Sequence, residues 1–407
     1  MLNLTRPWRA LRRAPPSTAS ASATPGTPPI HHKASRTARL IQLDSGGMAR
    51  WTPRDYAALA REGFVANAVA HRAVKLVAEN IAALTFLASA GGTPLDHHPL
   101  LDLLARPNPR QDGAALLEAL VAHLLISGNG YVEAVGLDGR VRELHVLRPD
   151  RMRVVPGPDG WAAAYDYTVA GRTVRYAQQG TPPPILHVAL FHPLDDHYGL
   201  GAIEAAAVAI DIHNAAARWN KALLDNAARP SGALVYAAPD GAVLAEDQYE
   251  RLKSELEASY QGAANAGRPL LLEGGLDWKA MSLTPKDMDF LEAKNGAARE
   301  IALAFGVPPM LLGIPGDNTY ANFQEANRAF WRHTVLPLAT RLCGALAHWL
   351  APAFGDDVRL EVDTDRVDAL AADRDALWER VTAAPFLTVN EKRAMIGFGP
   401  VDDGDRL

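Results

Sequence analysis

Gly199-Leu200-Gly201-Ala202-Ile203-Glu204 opens a helical run that closes at Asn226-Ala227-Ala228-Arg229-Pro230-Ser231-Gly232. Inside it Ile203, Ala207, Ile210, Asn214, Ala217, Lys221 and Leu224 step by four and three, which places them on one face of an α-helix. Small alanines flank this line, so a neighbouring helix can approach closely. A seam of Ala, Ile and one Asn is too weak to hold an isolated helix, so the face has to be buried against something else.

Upstream, the pattern predicts an α+β region. Phe64, Val69, Val74, Leu76, Val77, Ile81 and Leu84 follow helical spacing from a start near Tyr56, and Ala114–Leu125 is a second apolar helix stopped by Ser127-Gly128-Asn129-Gly130. Arg106-Pro107-Asn108-Pro109 between them is a rigid turn. The period then changes to two: Tyr131–Val135 and Val141–Leu147 read as a hairpin, followed by strands at Arg151–Val155, Tyr165–Val169, Thr173–Tyr176 and Ile185–Ala189.

Downstream, a βαβ-like insert is expected: a strand at Ala233–Tyr236, an amphipathic helix at about Glu246–Tyr260 and a strand at Pro269–Leu272. Thr284-Pro285-Lys286-Asp287 then starts a helix that runs to about Phe305, with Thr as N-cap and Pro in the first turn. Gly306-Val307-Pro308-Pro309 breaks it, and Gly313–Asn318 is a glycine- and proline-punctuated loop. A long helix from about Asn322 to Leu350 should kink at Pro337, which lacks a backbone donor. A strand at Val358–Val362, an acidic helix at about Val367–Ala383 and a short helical region after Thr388 end the chain.

With 407 residues, 48% hydrophobic and 21% charged, the chain is long enough for several regions and has the composition of an ordinary folded protein. No stretch approaches the roughly 18 uninterrupted apolar residues of a membrane-spanning helix, so no membrane partner is expected. The single cysteine, Cys343, excludes an intrachain disulfide and a thiolate-cluster zinc site, and its apolar helical setting makes it a small buried hydrophobe. Arg6, Arg9, Arg12, Arg13, Lys33, Arg36 and Arg39 give residues 1–43 a charge of +7 with no acid; the whole chain is at -5, so the remainder carries -12. Residues 1–47, rich in Ser, Ala, Pro and Arg, read as a disordered basic arm that superficially resembles a transit peptide.

Few constellations suggest chemistry. His192, Asp195, Asp196 and His197, like Asp96-His97-His98, hold metal-ligand types, and a metal-dependent hydrolase built on the first group is the alternative reading. Both runs lie in proline-flanked turns without helical ligand spacing, which favours solvated loop residues. There is no GxSxG elbow, no GxxxxGK[ST] loop and no GxGxxG after a strand, so neither catalysis nor a nucleotide cofactor is expected. Arg328-Ala329-Phe330-Trp331-Arg332-His333 mixes basic and aromatic residues, but reads better as an amphipathic helix with Phe330 and Trp331 in the core.

Several of these runs, in order, resemble the signature of tailed-bacteriophage portal proteins, also found in gene transfer agents. They are His98-Pro99-Leu100-Leu101, Arg106–Pro109, Gly128–Tyr131, Gly199–Glu204, Asn226–Gly232, Leu272-Glu273-Gly274-Gly275-Leu276, Ser282–Asp287, Ile301–Pro309 and Leu387–Arg393. The resemblance covers roughly residues 60–405 and implies a non-enzymatic ring subunit, usually one of twelve, at one capsid vertex. Implied partners are its own copies, double-stranded DNA, the large terminase subunit, the major capsid protein and a head-tail adaptor.

On that resemblance residues 48–198 would be an α+β wing, 199–228 and 284–306 the stem helices, 229–283 the clip and 307–321 the tunnel-loop region. Residues 322–364 would be the kinked helix and return strand, and 365–407 a short crown. Asn318, Thr319, Tyr320 and Asn322 would face the DNA, and Tyr249, Arg251, Lys253 and Glu257 the terminase or adaptor. Ile203, Ala207, Ile210, Asn214 and Ala217 would form the seam between subunits. An acidic body suits a conduit that must not grip DNA, whereas the basic arm has no counterpart in the family pattern.

Overall fold

The computed structural model describes residues 51–406, apart from 92, 138–139, 226–231, 237–244, 246, 249, 252–253, 255–275, 281–289, 317–318 and 356. The basic arm, the expected strand at 269–272, most of the insert helix and the helix start at 284–287 lie outside the described residues.

The first helical stretch is α1 (Tyr56–Leu59), a π turn (Ala60–Val65) and α2 (Ala68–Ala82). Asn67 caps α2, its Oδ1 accepting from the amides of Val69 (3.1 Å) and Ala70 (3.0 Å). One face of α2, comprising Ala70, Ala73, Val74, Val77, Ala78 and Ile81, is completely buried. Against it packs α4 (Gly113–Ser127), which is apolar nearly all round and is buried at Leu116, Leu120, Val121 and Leu124. Gly128, in the left-handed region (φ 75°), ends α4 where the Ser-Gly-Asn-Gly run predicts a stop.

The predicted strands form two antiparallel sheets. β3 (Asn129–Leu137) lies between β4 (Arg140–Leu147) and β8 (Ile185–Ala189), and β6 (Ala162–Val169) lies between β5 (Met152–Pro156) and β7 (Arg172–Ala177). A third sheet was not predicted. β1 (Phe86–Ala90) pairs with β2 (Thr93–Leu95) on one side and with β11 (Val358–Val362), from the far end of the chain, on the other. Between β2 and α4 stands α3 (Pro99–Ala105), whose N-cap His98 accepts from Leu100 N through Nδ1.

After α5 (Ala202–Ala205) and α6 (Ala207–Asp225) come β9 (Gly232–Tyr236) and β10 (Leu276–Ala280). These two strands pair antiparallel, with Tyr236 opposite Leu276 and Gly232 opposite Ala280. Next are α7 (Phe290–Ala304), α8 (Tyr320–Phe330), a π turn (Trp331–Val335) and α9 (Leu336–Phe354). The π turn is where Pro337 acts: Leu336 N bonds Trp331 O, and the shifted register puts Pro337 in the first turn of α9, where a missing donor costs little. The chain ends in α10 (Ala371–Ala383) and α11 (Val389–Met395), the latter started by a Thr388/Glu391 capping box.

The β5–β6–β7 sheet packs a separate cluster of Tyr131, Leu147, Met152, Val154, Tyr165 and Ile185, while one core joins α2, α4–α7 and α9 with the sheets of β1 and β3. Val74 and Ile81 of α2, Leu120 of α4, Ile203 and Ile210 of α5–α6, Ile301 of α7 and Leu342, Cys343 and Leu346 of α9 belong to the same buried cluster. Cys343 is 1% exposed and its thiol pKa is pushed up to about 12 by burial, as expected of a packing residue. The α+β architecture expected from the sequence is the one observed.

Candidate functional site

The helix that opens the sequence argument begins at a joint between two glycine runs. Any Cβ on Gly199 would collide with the backbone of Gly128 and come within 2.5 Å of Leu190 N, and one on Gly201 would lie 2.6 Å from Ile126 O. Asn129 locks the joint. Its Oδ1 accepts from Gly199 N (2.8 Å) and its Nδ2 donates to Ser127 O (2.7 Å). The helix stop at Gly128–Gly130 and the helix opening at Gly199–Gly201 are thus the two halves of one backbone-to-backbone contact.

From that joint the chain lays Ile203, Ala207 and Ile210 onto its own π turn and α2, with Ile203 packed over the bare Cα of Gly63. Asn214 is 6% exposed: it accepts from Asn67 Nδ2 (2.9 Å) and donates to Glu62 O (2.9 Å), one of the last carbonyls of the π turn. This corrects the predicted subunit seam. Ile203, Ala207, Ile210 and Asn214 are at most 6% exposed within the single subunit, and only Ala217 of the five is exposed. The outer face is a second apolar line, Val208 (47%), Ile212 (40%), Ala215 and Trp219 (42%), also at helical spacing. The sequence carries both lines, and only the packing partners distinguish them.

Residues 306–316 are braced against the helices on either side. Gly306 (φ 63°) turns the chain and its carbonyl accepts from Thr334 Oγ1 (2.6 Å), Ile314 is buried beside Ala298 and Ala302, and Arg299 of α7 donates to Pro315 O (2.5 Å). Thr319 caps α8, its Oγ1 accepting from Asn322 N (3.2 Å). Tyr320 projects with 78% exposure and its hydroxyl accepts from Gln324 Nε2 (3.0 Å); Asn322 and Phe323 are exposed beside it. Asn318 lies outside the described residues. Of the insert residues, Arg251 is exposed, and Tyr249, Lys253 and Glu257 lie outside the described residues.

The His/Asp run is occupied with its own backbone. His192 Nδ1 accepts from Leu194 N (3.0 Å), and Asp195 Oδ1 accepts from His197 N (2.8 Å) and Tyr198 N (2.9 Å), bonds that hold the Asp195 carboxyl below its usual range. Asp196 is exposed, and no group of three metal-ligating side chains occurs among the described residues. His192 and Asp195 border an open cleft of about 310 Å3 shared with Arg54, Tyr56, Asn129 and Tyr131. Ser127, at the same cleft, donates to the carbonyls of His123 and Asn129, so it is not aligned with a general base. Arg328 and Arg332, the basic part of the aromatic run, both face Asp373 of α10 (3.8 and 2.5 Å), and Phe330 is buried.

Two histidines near the glycine joint make the fold acid-sensitive. Burial lowers His123 and His187 to about 4; Tyr56 Oη lies 2.9 Å from His123 Nδ1, and His187 Nε2 lies 3.0 Å from Asn129 Oδ1. An unfolded chain protonates these rings near 6.5, so stability is full above that pH and falls as pH drops from about 6.5 to about 4. Each ring should account for up to about 2–3 kcal/mol across that window. Thermal melts between pH 7 and 4.5 should show a falling midpoint, and His187→Gln should flatten the slope; a flat wild-type profile contradicts the assignment.

Known proteins match this chain along most of its length. Residues 68–397 match the family described as phage portal protein. A chain in the neck of an empty gene transfer agent particle, computed with C6 symmetry, is 58% identical, with a TM-score of 0.71 over 88% of this chain and 98% of that one. A chain in the neck of the native particle, computed with C12 symmetry, is also 58% identical, with a TM-score of 0.68 over 87% of this chain and 97% of that one. The probable portal protein of Streptomyces phage phiC31 is 26% identical over 346 residues, covering 81% of this chain and 74% of the phage protein. With the family match running from the first turn of α2 to just past α11, and the neck chains aligned over nearly their whole length, the chain belongs to the phage portal protein family.

Proposed function

We propose that the chain is one of twelve subunits of a ring that forms the DNA channel in the neck of a gene transfer agent or phage-type particle. The observation that carries this is the 58% identity, over 87% of the chain, to a neck chain computed with C12 symmetry. The role is structural. Double-stranded DNA passes through the ring, and the large terminase subunit and then a head-tail adaptor dock on the insert between β9 and β10, while the major capsid protein surrounds it.

The described surfaces fit these roles. The outer line of α6, Val208, Ile212, Ala215 and Trp219, is the face left for a neighbouring subunit once the inner line is buried. The start of α8 presents Thr319, Tyr320 and Asn322, uncharged groups that touch a moving phosphate backbone without holding it. The -12 charge after residue 43 acts in the same direction.

Negative-stain microscopy of the purified chain is the direct test: twelve-fold rings are expected, and a species that stays monomeric or dimeric at high concentration overturns the reading. Tyr320→Ala should leave those rings intact and reduce the DNA packaged or retained per particle. Normal packaging by that variant removes Tyr320 from the channel.

A further inference from the structure

The C-terminal segment has a defined shape but almost no interior. From Ala371 to Arg406 only Val381 and Gly404 are buried, while Trp378 (44%), Phe386 (73%), Val389 (51%), Met395 (53%), Phe398 (49%) and Val401 (41%) stand exposed. Its order comes from polar bonds. Asn390 accepts from Val401 N (2.8 Å) and donates to Asp405 Oδ1 (2.8 Å), Arg393 Nε donates to Gly399 O (2.7 Å), and Asp373 pairs with Arg332 (2.5 Å).

At roughly 150–250 Å2 per aromatic side chain, the uncovered parts of Trp378 and Phe398 amount to about 200 Å2, and Phe386 stands exposed in the turn between α10 and α11. Trp378 and Phe398 already meet edge to face at 6.2 Å, and Arg393 lies over the Phe398 ring at 5.5 Å, so the patch is preformed.

The charges around it indicate the occupant. Arg374, Arg380, Lys392 and Arg393 alternate with Asp375, Glu379 and Glu391, a mixture of signs that complements itself and does not suit a polyanion. Cyclic symmetry sets every copy of this segment at one height on one circle, with an identical copy on either side. We propose that residues 371–401 complete their hydrophobic core only in the assembled ring, with the Trp378–Phe398 face and Phe386 of one subunit seated against the same segment of a second copy. This rests on the ring reading above.

Hydrogen exchange followed by mass spectrometry on the full chain, unassembled and in purified rings, tests it. Amides of residues 371–395 should exchange about tenfold more slowly in the ring, with those of α2 unchanged. In the full chain, Phe386→Asp should keep α2 protection and circular dichroism while raising the concentration needed for rings about tenfold. Rings with unchanged exchange at 371–395, or rings of Phe386→Asp forming at the wild-type concentration, overturn this inference alone. Failure of the wild-type chain to form any ring overturns the ring reading together with it.

Discussion

Ile210→Asp is expected to unfold the subunit, and Ile212→Asp, two residues further along the same helix, to leave it folded and unable to close a ring. Ile210 is 2% exposed and packs over Gly63, so a carboxylate there has no partner and no water. Burying an unpaired charge costs several kcal/mol, a large share of the roughly 5–15 kcal/mol that holds a domain together. Ile212 is 40% exposed, and an aspartate there stays hydrated in the isolated chain, where its effect on stability should be within about 0.5 kcal/mol. At the proposed subunit interface the same charge would be desolvated in every copy. Circular dichroism melts and negative-stain images of the two variants separate the effects; full rings from Ile212→Asp would remove the outer face of α6 from the interface.

Gly199→Ala should be nearly as damaging, for a reason confined to the backbone. The added methyl would collide with Gly128 and reach to 2.5 Å of Leu190 N, and main-chain atoms cannot rotate aside as a side chain can. Relief requires opening the joint, which gives up the bond from Gly199 N to Asn129 Oδ1 and the bond from Leu190 N to Gly128 O (2.8 Å). A loss on the order of 3–5 kcal/mol is expected, read as a lower denaturant midpoint. Gly344→Ala is the control: Gly344 is exposed in α9 with nothing within 4 Å of an added Cβ, so it should be neutral or stabilising by up to about 1 kcal/mol. Equal midpoints for the two variants would mean that the glycine joint does not hold the fold.

Much of the architecture was legible because its signals are local. The stop of α4 at Gly128, the β3–β4 hairpin and the break at Gly306 each depend on the conformational range of one or two residues, which the sequence states directly. The order of those runs also carried the family resemblance, which the match over residues 68–397 bears out. The β1–β11 pair was not legible, since Phe86 and Val362 are paired across most of the length of the chain and no local signal links them.

The sequence by itself determined where most helices, strands and turns stand, β1 and β2 excepted, and that α6 has apolar lines to bury. Only the tertiary structure decided which line faces inward. Periodicity is a property of one helix, but burial belongs to a pair, and α6 carries two lines of similar spacing. Gly63, Asn67 and the open carbonyl of Glu62 receive Ile203, Ile210 and Asn214, and so turn Val208, Ile212 and Ala215 outward.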